Sequence, residues 1–473
     1  MGFLQNLGVF MSGVGKAYRE AFLNSDRVNI IPFESFAGRT LRYGLNWAYY
    51  ENTAYDNIHP FAQGYRNQRG LYKYVRTIYN PAFRLAENYV SAIYGGQLDV
   101  DAGETGAIPI TVSGGNETQL RAAIAQTWEW SNWDIVKDIY SLYGTTLGDV
   151  FLYVNDDAEH EQVRTELLHP AVVVDITLSP QGFVKAYIIE EKRFDNDGKQ
   201  AVYRETCERG EGESVIFRTY RDGKPYHWDG NEAAEWTVNY GFIPLVAVQH
   251  KNIGLKWGWA EMHPLRGKIA ETDDLASKLH DQIRKVIDAP GMITGALSKN
   301  ISITTPEPTV DNPQPLRETN NLIFTTNENA AFHPMVGNLN IGDTMLAIES
   351  MLKEMERDFP EMREDVWGNN AKEEGIKAAR DRVEKKIITR RASYDKGLVR
   401  ALQMALAIGG ERGYKNYNGI NLKTYKDGNM DFRIAPRPVF TIDRTEQISL
   451  RMQEIELEQM ERGLGNREAV NVA

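Results

Sequence analysis

The 473-residue sequence contains a single cysteine, Cys207. That excludes an intramolecular disulfide and a cysteine-based structural zinc site, and it fits a reducing compartment. No window of about 18 uncharged apolar residues occurs, so no membrane span is expected. Met1 to Asn24 is apolar and amphipathic, but Lys16, Arg19 and Glu20 interrupt it and no small-residue cleavage site follows an apolar core. It does not read as a signal peptide; a short amphipathic helix docking on a neighbour is the alternative. Positive charge is also scarce. Lys and Arg number 54 against 65 Asp and Glu, a formal net charge of -11. A globally basic surface that grips phosphates is therefore not expected, although an acidic protein can line a path to which DNA must not adhere. What is abundant is ordinary globular composition, with 42% hydrophobic and 25% charged residues. The length accommodates two to four domains.

The motifs of common chemistry are missing too. Gly13-Val-Gly-Lys16 is followed by Ala17, and Phe10 stands where a phosphate-binding loop needs its first glycine. His160-Glu161 lacks the second histidine of a zinc helix, and there is no Gly-x-Ser-x-Gly elbow. Cys207 has no histidine near it in sequence. His263 and His280 fall on a long helix, where single histidines are usually surface or core residues. The pairs Asp156-Asp157 and Asp273-Asp274 can bind a hard cation, but adjacent carboxylates more often lie on solvated turns or helix faces. No catalytic residue, metal ligand or cofactor is assigned, and the weight shifts towards a structural role.

Residues 25–75 read as an irregular, aromatic-rich arm. Trp47, Tyr49, Tyr50, Tyr55, Phe61, Tyr65, Tyr72 and Tyr74 are interleaved with Arg39, Arg42, Arg66 and Arg69. Such a mixture either stacks on single-stranded bases or supplies packing, and dilution by acidic and neutral residues favours packing. Asn80-Pro81 starts a helix with Phe83, Ala86, Val90 and Ile93 as its inner stripe and Gly95-Gly96 at its end. A strand at Ile108–Val112 precedes two helices. One runs from Asn116 to about Ser131, with Leu120, Ile124 and Trp128 inward. The other is capped by Asp134, carries Ile135, Ile139 and Leu142, and ends near Gly144. The period then changes to strands at Gly148–Val154, Ala171–Ile176, Val184–Glu190, Ala201–Cys207, Ser214–Tyr220, Pro225–Trp228 and Phe242–Val248. Arg221-Asp-Gly-Lys224 forms a hairpin turn. This order is that of an α+β module.

A long helix is expected from Met262 to Asp288, with Leu275, Leu279, Ile283 and Val286 inward. A small β-rich insert over 291–340 follows. The next helix carries Met345, Ile348, Leu352, Met355 and Phe359 on one face, capped by Asp343 or Thr344 and ended by Pro360. The helices bracketing the insert make a hairpin-like stalk. After a mixed segment, Glu361 to Glu374, a helix spans Gly375 to Ile408, with Ile376, Val383, Ile387, Tyr394, Leu398 and Leu402 inward and Gly409-Gly410 as its stop. Residues 371–391 hold eight Lys/Arg and four Asp/Glu. These either pair with acids of a neighbouring subunit or form a solvated face. Tyr414–Lys426 reads as loop or short strand, Met430–Ala435 as a strand and Thr441–Arg462 as a charged helix.

This series resembles the portal proteins of tailed bacteriophages, of the siphovirus type, over roughly residues 75–470. The resemblance is carried by the Asn80–Tyr94 helix ending in Gly95-Gly96, by Tyr143-Gly144 through Val150–Val154 and then Leu168-His-Pro170, and by Tyr240-Gly-Phe-Ile-Pro244 with the helix ending Ile287-Asp-Ala-Pro-Gly291. Phe359-Pro360 through Trp367-Gly368, the helix from Gly375, Ile434–Glu446 and Glu461-Arg-Gly-Leu464 complete it. Where family members often have Ser-Gly before the long helix, this chain has Glu374-Gly375.

The resemblance implies an α+β portal fold. Its parts would be an N-terminal arm (1–75), a wing (76–257), a stem helix (258–290), a clip (291–340), a second stem helix (341–359), a tunnel loop (360–374), a long spine helix (375–410) and a C-terminal crown region (411–473). It further implies a ring, usually of twelve subunits, at a capsid vertex of the virion, assembled in the host cytoplasm. Double-stranded DNA would pass through it during packaging and ejection. Terminase, head-tail adaptor, major capsid and scaffolding proteins would be its partners, and ATP hydrolysis would belong to the terminase. Tunnel-loop residues would be Arg363, Glu364, Asp365, Val366, Trp367, Asn369 and Asn370. Candidate lumen-facing acids on the stem are Glu271, Asp274, Asp281, Glu349, Glu356 and Asp358. The alternatives are an α+β enzyme with dispersed catalytic residues, or a capsid or adaptor protein without a DNA channel.

Overall fold

The computed structural model describes residues 34–55, 79–95, 98–99, 108–113, 117–194, 198–228, 233–287, 291–294, 301–304, 322–325, 331–334, 341–367, 374–426, 430, 432–440 and 452. The architecture is mixed α and β. It begins with helix α1 (Phe36–Tyr50), within the stretch expected to be irregular. Ser35 caps it, its Oγ accepting the Gly38 N–H at 3.1 Å. Its inner face mixes Tyr43 and Trp47 with buried Arg39, Arg42 and Asn46. Those polar residues hid the helical period. Arg39 is fully buried: it donates to Pro170 O at 3.0 Å and lies 3.7 Å over the Trp257 ring. Arg39, Trp47 and Tyr49 are therefore packing groups, not a base-stacking surface.

Helix α2 (Ala82–Tyr94) starts where the Asn-Pro pair predicts, with Asn80 Oδ1 accepting the Ala82 N–H at 3.0 Å. Its buried face is Leu85, Ala86, Tyr89, Ala92 and Ile93; Phe83 is 49% exposed and Val90 only half-buried. β1 (Leu98–Asp99) and β2 (Ile108–Val112) precede α3 (Glu117–Trp130), whose Leu120, Ile124 and Trp128 are buried as expected. Helix α4 (Trp133–Leu147) passes through Gly144 and ends at Gly148, which has φ +99°. Gly144 is an approach point: a Cβ there would lie 1.7 Å from Tyr394 Oη. The inner face holds Trp133, Tyr140 and Tyr143, while Ile135, assigned inward on sequence, is 61% exposed.

Then come β3 (Asp149–Asp157), β4 (Gln162–Leu168), β5 (Val173–Leu178), β6 (Val184–Phe194), β7 (Gln200–Arg209), β8 (Val215–Arg221), β9 (Lys224–Pro225), β10 (Glu235–Val238) and β11 (Leu245–Gln249). Sequence patterning did not mark β4 or β10, and it carried β9 too far. Asp222 (φ +50°) and Gly223 (φ +78°) make the two-residue turn before β9, as expected for Asp-Gly. One antiparallel sheet runs β10-β8-β7-β6-β5 and a second runs β11-β3-β4. Phe151, Val173, Tyr187, Phe217 and Trp257 belong to the core between them.

Helix α5 (Leu265–Ile287) leads to β12 (Gly291–Thr294), β13 (Ile301–Thr304), β14 (Leu322–Thr325) and β15 (Ala331–Pro334). β12 pairs with β15, and β13 with β14, all antiparallel. The insert is thus closed at its base by its own first and last strands. The chain returns through α6 (Ile341–Asp358), which begins before the Asp343 and Thr344 named as caps. A 3₁₀ turn at Pro360–Met362 and α7 (Glu364–Trp367) follow.

Helix α8 (Glu374–Arg412) has 39 residues, about 58 Å at 1.5 Å per residue. Val383, Ile387, Tyr394, Leu398 and Leu402 are completely buried, and α8 packs on β3, β4, β11 and α2. Gly409-Gly410 does not stop it. The helix runs through both because each gives room: Gly409 to the Tyr417 ring, and Gly410 to Ile420 O, 1.6 Å from where a Cβ would stand. Gly413 (φ +70°) follows its last residue. A 3₁₀ turn at Lys415–Tyr417 and short α9 (Leu422–Lys426) replace the expected loop or strand. β16 (Phe432–Ile434) pairs with β2. The helix expected over 441–462 lies outside the described residues except for Met452.

Candidate functional site

Helices α5 and α6 pack side by side. Ala276, Leu279 and Ile348 form a small core of their own, flanked by Leu275, Ile283, Leu352 and Tyr79. Lys268 on α5 reaches across to Glu354 at 3.0 Å and to Asp358. Elsewhere on α5, buried Asp273 accepts the Tyr79 N–H at 2.8 Å and the Tyr55 hydroxyl at 3.0 Å.

The six acids expected on a stem differ in their surroundings. Glu271 and Glu349 are exposed, and Glu356 is half-buried. Asp274 pairs with Lys278 one turn on, and Asp358 with Lys268. The Asp281 side chain lies outside the described residues. The start of α6 also exposes apolar surface: Ile341 is 41%, Met345 40% and Leu346 64% accessible. Met345, assigned to the buried face on sequence, is thus largely outside it.

The expected tunnel loop begins as a fastened hinge. Pro360, lacking an N–H, closes α6 and opens the 3₁₀ turn. Met362 and Val366 enter the main core. Val366, grouped with the channel residues on sequence, is fully buried, and Trp367 is half-buried. The Trp367 indole N–H donates to Glu361 O at 2.9 Å, and its ring packs against Phe440. Both residues anchor the segment. Glu364 and Asp365 are exposed and Arg363 is half-buried; Arg363 pairs with Asp365, and Glu364 with Arg84 at 3.3 Å. Asn369 and Asn370 lie outside the described residues.

Behind the hinge stands a buried polar chain that periodicity did not reveal. Glu361 is completely buried, and its Oε1 accepts from Lys386 Nζ at 2.8 Å and Tyr89 Oη at 3.0 Å. Its backbone carbonyl also accepts the Asn88 amide at 2.8 Å. Lys386 lies 3.9 Å from Glu261, which takes Arg390 at 3.0 Å and His250 Nε2 at 3.2 Å. His250 Nδ1 meets Tyr394 Oη at 2.8 Å. A neutral imidazole satisfies this arrangement, accepting from the tyrosine and donating to the carboxylate.

Burial, with Arg390 and Lys251, holds the His250 pKa below its ordinary value against the opposing pull of Glu261. Burial alone would raise the Glu261 carboxyl, but the His250 hydrogen bond and the Arg390 and Lys386 charges hold it well below the carboxylate range. Arg391 caps the end of α2 through Ala92 O at 2.8 Å, and Arg437 through Ile93 O at 2.7 Å. Three cations from the expected charged stretch of α8, Lys386, Arg390 and Arg391, thus turn inward to partners in the same chain. The four-residue spacing of Lys386, Arg390 and Tyr394 was the signal available in sequence.

The residues weighed for chemistry have structural partners. Cys207 is buried in β7, its thiol pushed up by burial. Asp156 accepts from Tyr240 at 2.7 Å, Tyr414 at 2.8 Å and Arg412 at 2.7 Å, while Asp157 pairs with Arg164 at 2.6 Å. His263 packs against Trp259 with ring centroids 4.1 Å apart, and His280 is exposed. Among the described residues no group of three or more His, Cys, Asp or Glu is placed to hold a metal ion, and no helix is long and apolar enough to cross a membrane. No family model matches the chain, and no curated protein matches it.

Proposed function

We propose that this chain is the subunit of a portal-type ring, a conduit for double-stranded DNA with docking surfaces for a packaging motor and head-tail adaptors. One observation carries the reading. Two packed helices, α5 and α6, bracket a small β insert, and the return helix passes through a proline hinge into a 39-residue helix laid along an α+β body. The same order of parts defines the portal architecture of wing, stem, clip, tunnel loop and spine. The exposed Ile341, Met345 and Leu346 support it, because apolar clusters at a helix end are surfaces that assembly covers.

The charges are compatible with the role. In a ring, exposed Glu271 and Glu349 are repeated in every subunit, and repeated carboxylates repel a duplex over about a Debye length, 8–10 Å. A transit channel requires low adhesion rather than affinity. The test is the mass of the purified protein in solution, with negative-stain electron microscopy. Rings near twelve subunits with a hole of about 20 Å or more, wide enough for a DNA duplex with its two backbones and grooves, are expected. Compact particles of one to four subunits at every concentration and salt, with or without scaffolding protein, would overturn the reading. In a packaging assay, replacing exposed Glu364 and Asp365 with Ala should leave ring assembly intact and alter DNA uptake.

A further inference from the structure

The start of β6, the end of β7, the Tyr240–Ile243 segment, α8 and α9 together line a cavity of about 390 Å³. The inner part of its lining is apolar: Val184, Ile243, Met404 and Leu422 are buried. Its sides are aromatic. Phe242 meets Tyr425 with ring centroids 5.6 Å apart and stacks on Tyr240 at 6.0 Å. Tyr240 is fixed in turn by its hydrogen bond to Asp156. Phe183, also in the lining, is 42% exposed. The Arg400 guanidinium lies 4.0 Å over its ring and donates to Gly182 O at 3.1 Å. The walls are thus set by contacts within the chain, as in a pocket formed before its ligand arrives.

The two strands bring charge of a single sign to this cavity. The register pair Ala186↔Glu208 sets Lys185 of β6 beside Arg209 of β7. Both alternate with Tyr187 and Cys207, which belong to the inner core, so they stand on the inner face of the sheet and line the cavity. Like charges on facing strands repel, and an anion placed between them relieves that cost. Among the described residues neither cation has an ion-pair partner, although acids outnumber bases in the chain. Glu213 passes beside Gly241 of the lining, and Lys185, Arg209 and Arg400 outnumber it. At roughly 30 Å³ for each water-sized group, the cavity holds about a dozen non-hydrogen atoms. Met404, unbranched and adaptable, suits a flexible chain better than a fixed shape.

We propose that this cavity binds a medium-chain aliphatic carboxylate. Its head group lies between Lys185 and Arg209, and its chain lies against Phe183, Phe242 and Met404. This does not depend on ring formation and applies equally to a monomer.

The test is calorimetric titration of the full-length protein with decanoate, which should fill a single saturable site per chain. Octanoate, two methylenes shorter, should bind about tenfold more weakly. Lys185→Gln with Arg209→Gln changes two exposed positions and should leave the fold intact. It should weaken decanoate by about tenfold or more, the loss of charge-assisted contacts to the head group. Decan-1-ol, which has the chain without the charge, should bind parent and double variant alike. No saturable site, equal decanoate affinity in parent and double variant, or the same loss for decanoate and decan-1-ol would overturn the proposal. A second readout needs no substitution. Decanoate should slow amide exchange at Val184–Lys185 and Gly241–Ile243 of the parent protein. Protection confined to other parts of the chain would also overturn it.

Discussion

The hinge makes a prediction whose ordering follows from burial. Glu361 is 0% exposed and Lys386 32%, so the two partners are not equivalent. Lys386→Met leaves a buried carboxylate with the Tyr89 hydroxyl as its remaining side-chain donor among the described residues, because Glu361 Oε2 has none. Breaking a buried ion pair by removing one partner costs about 3–5 kcal/mol, and the partial exposure of Lys386 lowers this to about 2–3 kcal/mol. Glu361→Gln keeps an acceptor for Tyr89 and removes the charge. Lys386 then remains near Glu261 and solvent, so the loss is that of one charge-assisted hydrogen bond, about 1–2 kcal/mol. Lys386→Met should therefore be the more damaging change, and the double variant should cost less than the two single costs added. Urea unfolding followed by circular dichroism measures all three against the parent. If Lys386→Met costs no more than Glu361→Gln, or the two effects add without coupling, the pair does not hold the hinge.

Other expectations follow from the same geometry. Both His250 and Glu261 have folded pKa values below their unfolded ones. Their stabilising contributions are thus full above the unfolded values, near 6.5 and 4.5, and decline as pH falls below each; the stability gap between the parent and Glu261→Gln should shrink from pH 7 to pH 3, and a constant gap would refute the assignment. Gly410→Ala, which places a Cβ 1.6 Å from Ile420 O, should destabilise by about 2 kcal/mol or more, whereas Gly267→Ala, with open space around it, should be neutral or stabilising by thermal melt. Met355→Asp buries a charge at a site 1% exposed and should cost about 4 kcal/mol or prevent folding; soluble protein of parental stability would mean that face is open. Leu346→Lys, at a site 64% exposed, should change single-chain stability by no more than about 0.5 kcal/mol yet reduce assembly; unaltered assemblies would remove the apolar start of α6 from the interface.

How much was legible depended on how simple each inner face is. Helix α8 was readable over most of its length because Val383, Ile387, Tyr394, Leu398 and Leu402 repeat an apolar side at helical spacing, and all five are buried. Helix α1 was not, because Arg39, Arg42 and Asn46 occupy its inner face beside Tyr43 and Trp47. Gly144, Gly409 and Gly410 misled in one way: glycine signals a stop, but here it marks close approach of Tyr394, Tyr417 and Ile420 within helices that continue. Local spacing can show that Lys386 and Arg390 share a face. It cannot show that the face is inward, because their partners Glu361 and Glu261 come from 25 and 129 residues earlier. The stem acids pose the same problem in reverse, since exposure in one chain and orientation in an assembly are set by different neighbours.

The polar chain behind the hinge has a mechanical consequence. Where α6 ends, Glu361 is tied to α2 through Tyr89 and Asn88 and to α8 through Lys386. Six residues later the Trp367 indole folds back on Glu361 O. Trp367 and α8, which packs on β3, β4 and β11, are therefore both fixed to the same α+β body. A stalk hinged at Pro360 cannot swing freely, because rotation there first breaks ion pairs in low dielectric, where each lost partner strands a buried charge. If the chain is the ring subunit proposed above, a hinge locked in this way holds the angle between stalk and body, and with it the diameter of the ring. The buried carboxylates Glu261 and Glu361 are thus structural, because each is held by cations and donors of the same chain, whereas Glu271, Glu349, Glu364 and Asp365 are exposed and their loss leaves the hinge intact.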